Sequence, residues 1–404
     1  MTAGHPTASV ASPAAAHQAQ AAEAAAFEAK YPLLKKAKAS GLPMPPVEPP
    51  TFTLADVRAA IPAHCFERKL TTSVGYLALD LLKVALLAYA ATWISHPTVP
   101  TAARVLLWCV YTAVQGTFLT GLWVLGHEMG HGAFSAIPWV NDAFGWVLHS
   151  SLLVPFFSWK FSHATHHKNT NSMEDDEVYV PVTRSSIAVE MINESPLFMT
   201  LYILGMLLFG WPLHILFDVS GPTKYHGRPN SHLNPWSVLF HDRQRKYVAL
   251  SDVGLLFVLA GMAYLVSHVG VANFALFYGA PYLVMNSYLI LITFLQHTDI
   301  YVAHYRAPAY SWLRGAIATV DRSYGSWVDA QIHERLRRYF NLLLTVFTNL
   351  TDQALRDDKV HRCGNDVRGH THFRQTHDRC WRIVRVQGAH DQVTRRCGFK
   401  SDLC

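Results

Sequence analysis

Charge is scarce in this chain. Only 15% of its 404 residues are Asp, Glu, Lys or Arg against 50% hydrophobic residues, where soluble domains carry about 25% charged residues. That deficit excludes disorder and an ordinary soluble enzyme for most of the sequence. A cysteine framework is also lacking. Cys65 and Cys109 stand alone, while Cys363, Cys380, Cys397 and Cys404 crowd the end without regular spacing. A reducing, cytosol-facing setting without structural disulfides follows. No nicotinamide, flavin or haem motif appears, so any redox chemistry needs an external electron donor. The first 40 residues are Ala-rich, with Lys35, Lys36 and Lys38 clustered. They read as a cytosolic extension, without the apolar stretch of a cleavable signal or the Arg/Ser richness of a transit peptide. The excess positive charge is local, because residues 331–404 hold 14 Lys+Arg and 8 Asp+Glu, leaving 20 of each in residues 1–330.

A bilayer core requires about 20 consecutive apolar residues per helix. Five runs qualify: Tyr76 to Ile94, broken only by Asp80 and Lys83 on one helix face, then Val105 to Leu125 without a charge, Leu197 to Phe217, Val253 to Val269 and Ala272 to Leu295. Together they predict an all-α integral membrane protein. Basic residues before the first run (Lys30, Lys35, Lys36, Lys38, Arg58, Arg68, Lys69) and in residues 218–252 (Lys224, Arg228, Arg243, Arg245, Lys246) place those segments in the cytosol. Leu197 to Phe217, bracketed by cytosolic loops and containing Gly210 and Pro212, then reads as re-entrant or interface-lying. The expected architecture is about four transmembrane helices plus interfacial helices, with a cytosolic, histidine-rich cap.

Two histidine clusters carry the chemistry. His127-Glu128-Met129-Gly130-His131 places imidazoles at i and i+4 on one helix face. Alone, this HExxH spacing also fits an intramembrane zinc metalloprotease with Glu128 as general base. His163-Ala164-Thr165-His166-His167 puts three more imidazoles on one stripe. Five histidines exceed the three or four protein ligands of one zinc site, and two ions follow. Imidazole suits iron as well as zinc, and iron can activate dioxygen where redox-inert zinc cannot. His297, in Gln296-His297-Thr298, adds a sixth imidazole at the cytosolic end of the last run.

These segments resemble the membrane-bound fatty acid desaturases, more narrowly the microsomal omega-6 (delta-12, oleate) type. The first box is followed by Ala133-Phe134-Ser135, and the second by Lys168-Asn169-Thr170 and Asp176-Glu177-Val178-Tyr179-Val180-Pro181. Phe52-Thr53-Leu54, Ile61-Pro62-Ala63-His64-Cys65-Phe66, Phe294-Leu295-Gln296-His297-Thr298, Trp312-Leu313-Arg314-Gly315-Ala316 and Thr319-Val320-Asp321-Arg322 complete the likeness in the same order. The resemblance implies a desaturase domain over residues 51–330, after an Ala/Pro-rich extension at 1–50. It implies two iron ions held by His127, His131, His163, His166, His167 and His297, with Glu128, Asp175, Asp176 and Glu177 as acceptors for imidazole N–H groups. Oleoyl would become linoleoyl, on a phospholipid or coenzyme A carrier, with electrons from NADH through cytochrome b5 reductase and cytochrome b5. The implied location is the endoplasmic reticulum membrane, multi-pass, with the boxes facing the cytosol. The same di-iron class hydroxylates or epoxidises acyl chains and makes acetylenic bonds, and sequence leaves these outcomes open.

The family's third box, HxxHH, is lacking. After His333 the chain reads Glu334-Arg335-Leu336-Arg337-Arg338, and His370, His372 and His377 do not reproduce the spacing. Residues 331–404 read as a divergent basic tail produced by a frame shift or mis-splicing, and the chain is expected to be impaired. A lipid-binding pseudoenzyme is the non-enzymatic alternative.

Overall fold

The computed structural model of the chain describes residues 53–55, 68–181, 195–299, 302–307, 309–320 and 322–332. The Ile61 to Phe66 stretch, Asp321, His333 and the tail histidines and cysteines lie outside the described residues. The described residues are mostly helical, without a named strand. In chain order come α1 (Leu70–Ala91), α2 (Thr101–Gly130), α3 (Pro138–Ser151), α4 (Phe156–Asn169), α5 (Pro196–Phe217), α6 (Arg245–Val269), α7 (Val271–His297, with a π-turn at Ala275–Gly279) and α8 (Trp312–Ile317).

Five of these, α1, α2, α5, α6 and α7, are long and apolar enough to cross a membrane. The protein is an all-α membrane protein, with five such helices where four crossings were expected. The difference lies in α5. Gly210 and Pro212 do not interrupt it. Gly210 instead provides close approach, since a Cβ there would stand 3.0 Å from the Ile290 side chain of α7. Ser287 donates to the Leu207 carbonyl, so 207 faces 287 and 210 faces 290. α5 therefore runs lengthwise beside α7 and in the same direction.

The same reasoning orients α2. Tyr111 donates to the Phe277 carbonyl at 2.9 Å, and Gly116 lets the Val284 side chain and the Pro281 carbonyl close in. α2, α5 and α7 thus run in one direction, and their C-terminal ends deliver His127 and His131, Asp218, and His297 to one end of the bundle. Lys83 is tied within the bundle: it lies 3.7 Å from Asp80, one turn away on the same face, and donates to Gln331 at 2.9 Å.

α3 and α4 are too short to span. α3 leaves Trp139 68% and Val147 62% exposed, an apolar face suited to the membrane interface. Its His149, fully buried, approaches the Trp123 carbonyl of α2 at 3.0 Å. α8 closes onto the end of α4, where Asn171 donates to the Gly315 and Ala318 carbonyls and Trp312 donates to the His167 carbonyl. Gly315 is required there because a Cβ would collide with the Thr170 carbonyl. Main chain cannot yield as a flexible side chain can, so Gly315→Ala is expected to cost about 1–3 kcal/mol. A lowered thermal midpoint in detergent, with the histidine ligands untouched, is the check.

Candidate metal centre

The C-terminal turn of α2 and the middle of α4 face each other. His127, His131, His163 and His167 converge there, their ligand atoms all within 4.8 Å of one another. His163 is the hub, with Nε2 at 2.8 Å from His127 Nε2 and 2.9 Å from His167 Nε2. His131 Nε2 lies 3.4 Å from His127 Nε2. Imidazole lone pairs aimed at one another at these distances repel unless a proton or a cation sits among them. Four neutral nitrogen donors in a wall of protein fit a transition metal ion. Trp159 stacks on His163 at 4.5 Å between ring centroids, and Trp123 lies 5.6 Å from His127. These two tryptophans pack against the cluster.

Glu128 is buried and accepts from His127 Nδ1 at 2.9 Å. A carboxylate in that place fixes the tautomer and turns Nε2 toward the cluster. It engages the back of the imidazole, unlike the base of a zinc hydrolase, which faces the metal-bound water. Four histidines, where the protease motif supplies two, point the same way. Glu128→Gln is therefore expected to lower metal affinity about 10- to 100-fold without complete loss, measured by iron retained through a chelator series. Unchanged metal binding with total loss of activity would favour the hydrolase.

His166 points elsewhere. Its Nδ1 donates to Asp176 Oδ1 at 2.6 Å, and its ring meets His297 edge-on at 5.0 Å. Asp176 also accepts the N–H groups of Asn171, Val178 and Tyr179. Burial alone would raise its carboxyl, but the charge and hydrogen bond of His166 and the Val178 N–H outweigh that and hold it below its ordinary value. A fixed carboxylate behind Nδ1 leaves His166 Nε2 as the ligand atom. Arg322 donates to the Leu295 and Thr298 carbonyls, closing the end of α7 and seating His297.

The other acidic residues divide. Glu177 accepts from Tyr225 at 2.9 Å, and no described contact joins it to an imidazole. Asp175 pairs with Lys224 at 2.5 Å. Burial pushes Glu177 up to about 7. Folding therefore takes up a proton between its ordinary 4.5 and about 7, so this contribution to stability is full below that window and lost as pH rises through it. Unfolding midpoints are expected to fall across this range by the equivalent of about 1–3 kcal/mol, and Glu177→Gln should flatten that slope.

Sequence reasoning missed His304. Tyr305 bridges Ser172, which sets the His304 ring 5.9 Å from that of Tyr179. Its Nε2 is buried without a hydrogen-bond partner, and burial pushes it down to about 4. A lone histidine in Val302-Ala303-His304-Tyr305 has no box spacing, so only the fold reveals it.

A family model described as fatty acid desaturase matches residues 103–349, and one for a domain of unknown function (DUF3474) matches residues 6–90. The omega-6 fatty acid desaturase of the endoplasmic reticulum from Brassica juncea is 40% identical over 80% of this chain and 79% of its own length. The delta(12) fatty acid desaturase FAD2 of Calendula officinalis is 43% identical over 76% of each chain. The oleate hydroxylase FAH12 of Claviceps purpurea is 41% identical over 69% of this chain, and the match spans 64% of that protein.

Proposed function

The chain belongs to the fatty acid desaturase family, and from that membership we propose that it is built to place a cis double bond in an oleoyl chain at the omega-6 (delta-12) position. The observation that carries the reading is the convergence of His127, His131, His163 and His167 from two separate boxes. These four would hold one iron ion, and His166 and His297 would contribute to a second beside it. When bound, the iron pair supplies dioxygen reduction, by which two vicinal hydrogens leave an unactivated methylene pair and dioxygen with two electrons and two protons becomes two waters.

The protein's own residues prepare that chemistry. Glu128 and Asp176 hold the imidazoles of His127 and His166 in register. Trp123 and Trp159 pack against the imidazoles of His127 and His163. The electrons would come from cytochrome b5 and its NADH reductase, docking on cytosolic basic residues such as Arg228, Arg243 and Lys246. The substrate would be a membrane phospholipid or acyl-coenzyme A, in the endoplasmic reticulum membrane, with the boxes facing the cytosol. A second reading is hydroxylation of the same acyl chain, favoured by the likeness to an oleate hydroxylase.

The test is expression in a yeast without polyunsaturates, of the chain both as it stands and with a relative's HxxHH-bearing C-terminus, with products read by mass spectrometry. A diene at omega-6 supports desaturation, and a hydroxy acid supports the second reading. Membrane-inserted, iron-loaded protein with no new acyl product in either form sinks both.

A further inference from the structure

A second group of metal-ligating side chains lies at the end of α5, outside the boxes. His214 and Asp218 sit one turn apart, and the loop that follows folds back to bring His232 against them. Their ligand atoms all lie within 4.8 Å of one another, and all three residues are at most 4% exposed. The fold-back is fixed by main chain, since His232 donates its N–H to the Ile215 carbonyl at 2.9 Å and Val180 donates to the Ser220 carbonyl at 2.8 Å. Trp211 separates this group from the four-histidine cluster, its ring 5.8 Å from Trp123 and 6.0 Å from His214.

The polar atoms inside are not satisfied. Both carboxylate oxygens of Asp218 and Nδ1 of His232 are buried with no hydrogen-bond partner. His214 Nδ1 stands 3.4 Å from Asp218 Oδ1, beyond hydrogen-bond range for a strong pair, and 3.0 Å from the Ser220 hydroxyl. A carboxylate stripped of water and left unbonded costs several kcal/mol, which native proteins avoid by pairing it, by metal coordination or by keeping it protonated. The far nitrogen of His232 lies 2.9 Å from the Ser162 hydroxyl, the outer contact that a ligating imidazole typically has.

We infer that His214, Asp218 and His232 form a site for one divalent first-row transition metal ion, distinct from the histidine-box centre. Two imidazoles and one carboxylate are a donor set for zinc or iron(II). A closed site of this kind would clamp the end of α5 to the following loop and, through Ser162, to α4, which carries the second box. The inference does not depend on the proposed activity.

The experiment uses full-length protein in detergent with His127→Ala and His163→Ala, which disable the box centre. After loading with zinc and removing the excess, elemental analysis is expected to find about one zinc per chain, falling to background when Asp218→Asn is added. Zinc should raise the unfolding midpoint of the first protein and leave that of the second unmoved. Ser162→Ala keeps all three ligands and serves should Asp218→Asn misfold: its zinc affinity is expected to fall about 10- to 100-fold. Iron recovered at this site in place of zinc supports the inference equally. Zinc content unchanged by both variants, or none in monodisperse starting protein, overturns it. The three side chains would then be a neutral network with Asp218 protonated.

Discussion

Replacing residues 333–404 with the HxxHH-bearing C-terminus of a delta(12) desaturase relative is expected to raise diene formation in yeast at least about 100-fold over the chain as it stands. The reasoning is a ligand count. One half of the proposed centre, the four-histidine cluster, has its nitrogens gathered around one point among the described residues. The other half offers His166 and His297, with His304 nearby, and these three do not draw their ligand atoms into a comparable group. Errors behind a ligand alone cost about 10- to 100-fold in affinity or activity, and absent ligands cost more. At the histidine boxes the chain as it stands should therefore retain about one iron and the graft about two, counted by elemental analysis with Asp218→Asn in both proteins. Equal diene yield from both would show that the divergent tail is tolerated and that the third box is dispensable here.

The membrane helices were legible because a run of about 20 residues without charge has few alternatives to spanning. Their ends were less so. Charge counting stops the second span at Leu125, yet α2 continues to Gly130, so the first box is part of the spanning helix itself. Gly210 and Pro212 look like breakers in one dimension, but helix-on-helix packing uses the first for contact with Ile290 and tolerates the second. The two histidine boxes were readable because helical periodicity puts i, i+3 and i+4 on one face. His304 and the His214–Asp218–His232 group were not, since each needs loops folded back across the ends of α4 and α5. Glu177 shows the converse: it sits next to Asp176 in sequence, yet its carboxylate turns to Tyr225 while Asp176 turns to His166.

The sharpest consequence of that division within the second box is a contrast between neighbours. His163→Ala is expected to abolish tight metal binding at the histidine boxes, whereas His166→Ala should leave the ion of the four-histidine cluster in place. His163 Nε2 is the atom nearest to both His127 and His167, so its loss removes the donor that links α2 to α4. A weakening of at least about 100-fold corresponds to about 2.7 kcal/mol. His166 turns its Nδ1 to Asp176 and its ring to His297, and leaves the four-histidine cluster intact when removed. Its loss has a different signature: without the imidazole, the Asp176 carboxyl is freed from the charge and hydrogen bond that hold it down, while burial still pushes it up. The stability that ionised Asp176 gives above its folded value should then be lost at higher pH than in the parent chain. Titration with cobalt(II), read by its absorption bands, together with acid unfolding curves, separates the two. Equal loss of metal from both variants would mean that the box works as one five-histidine unit, and the assignment of His163 and His166 to different halves would fall.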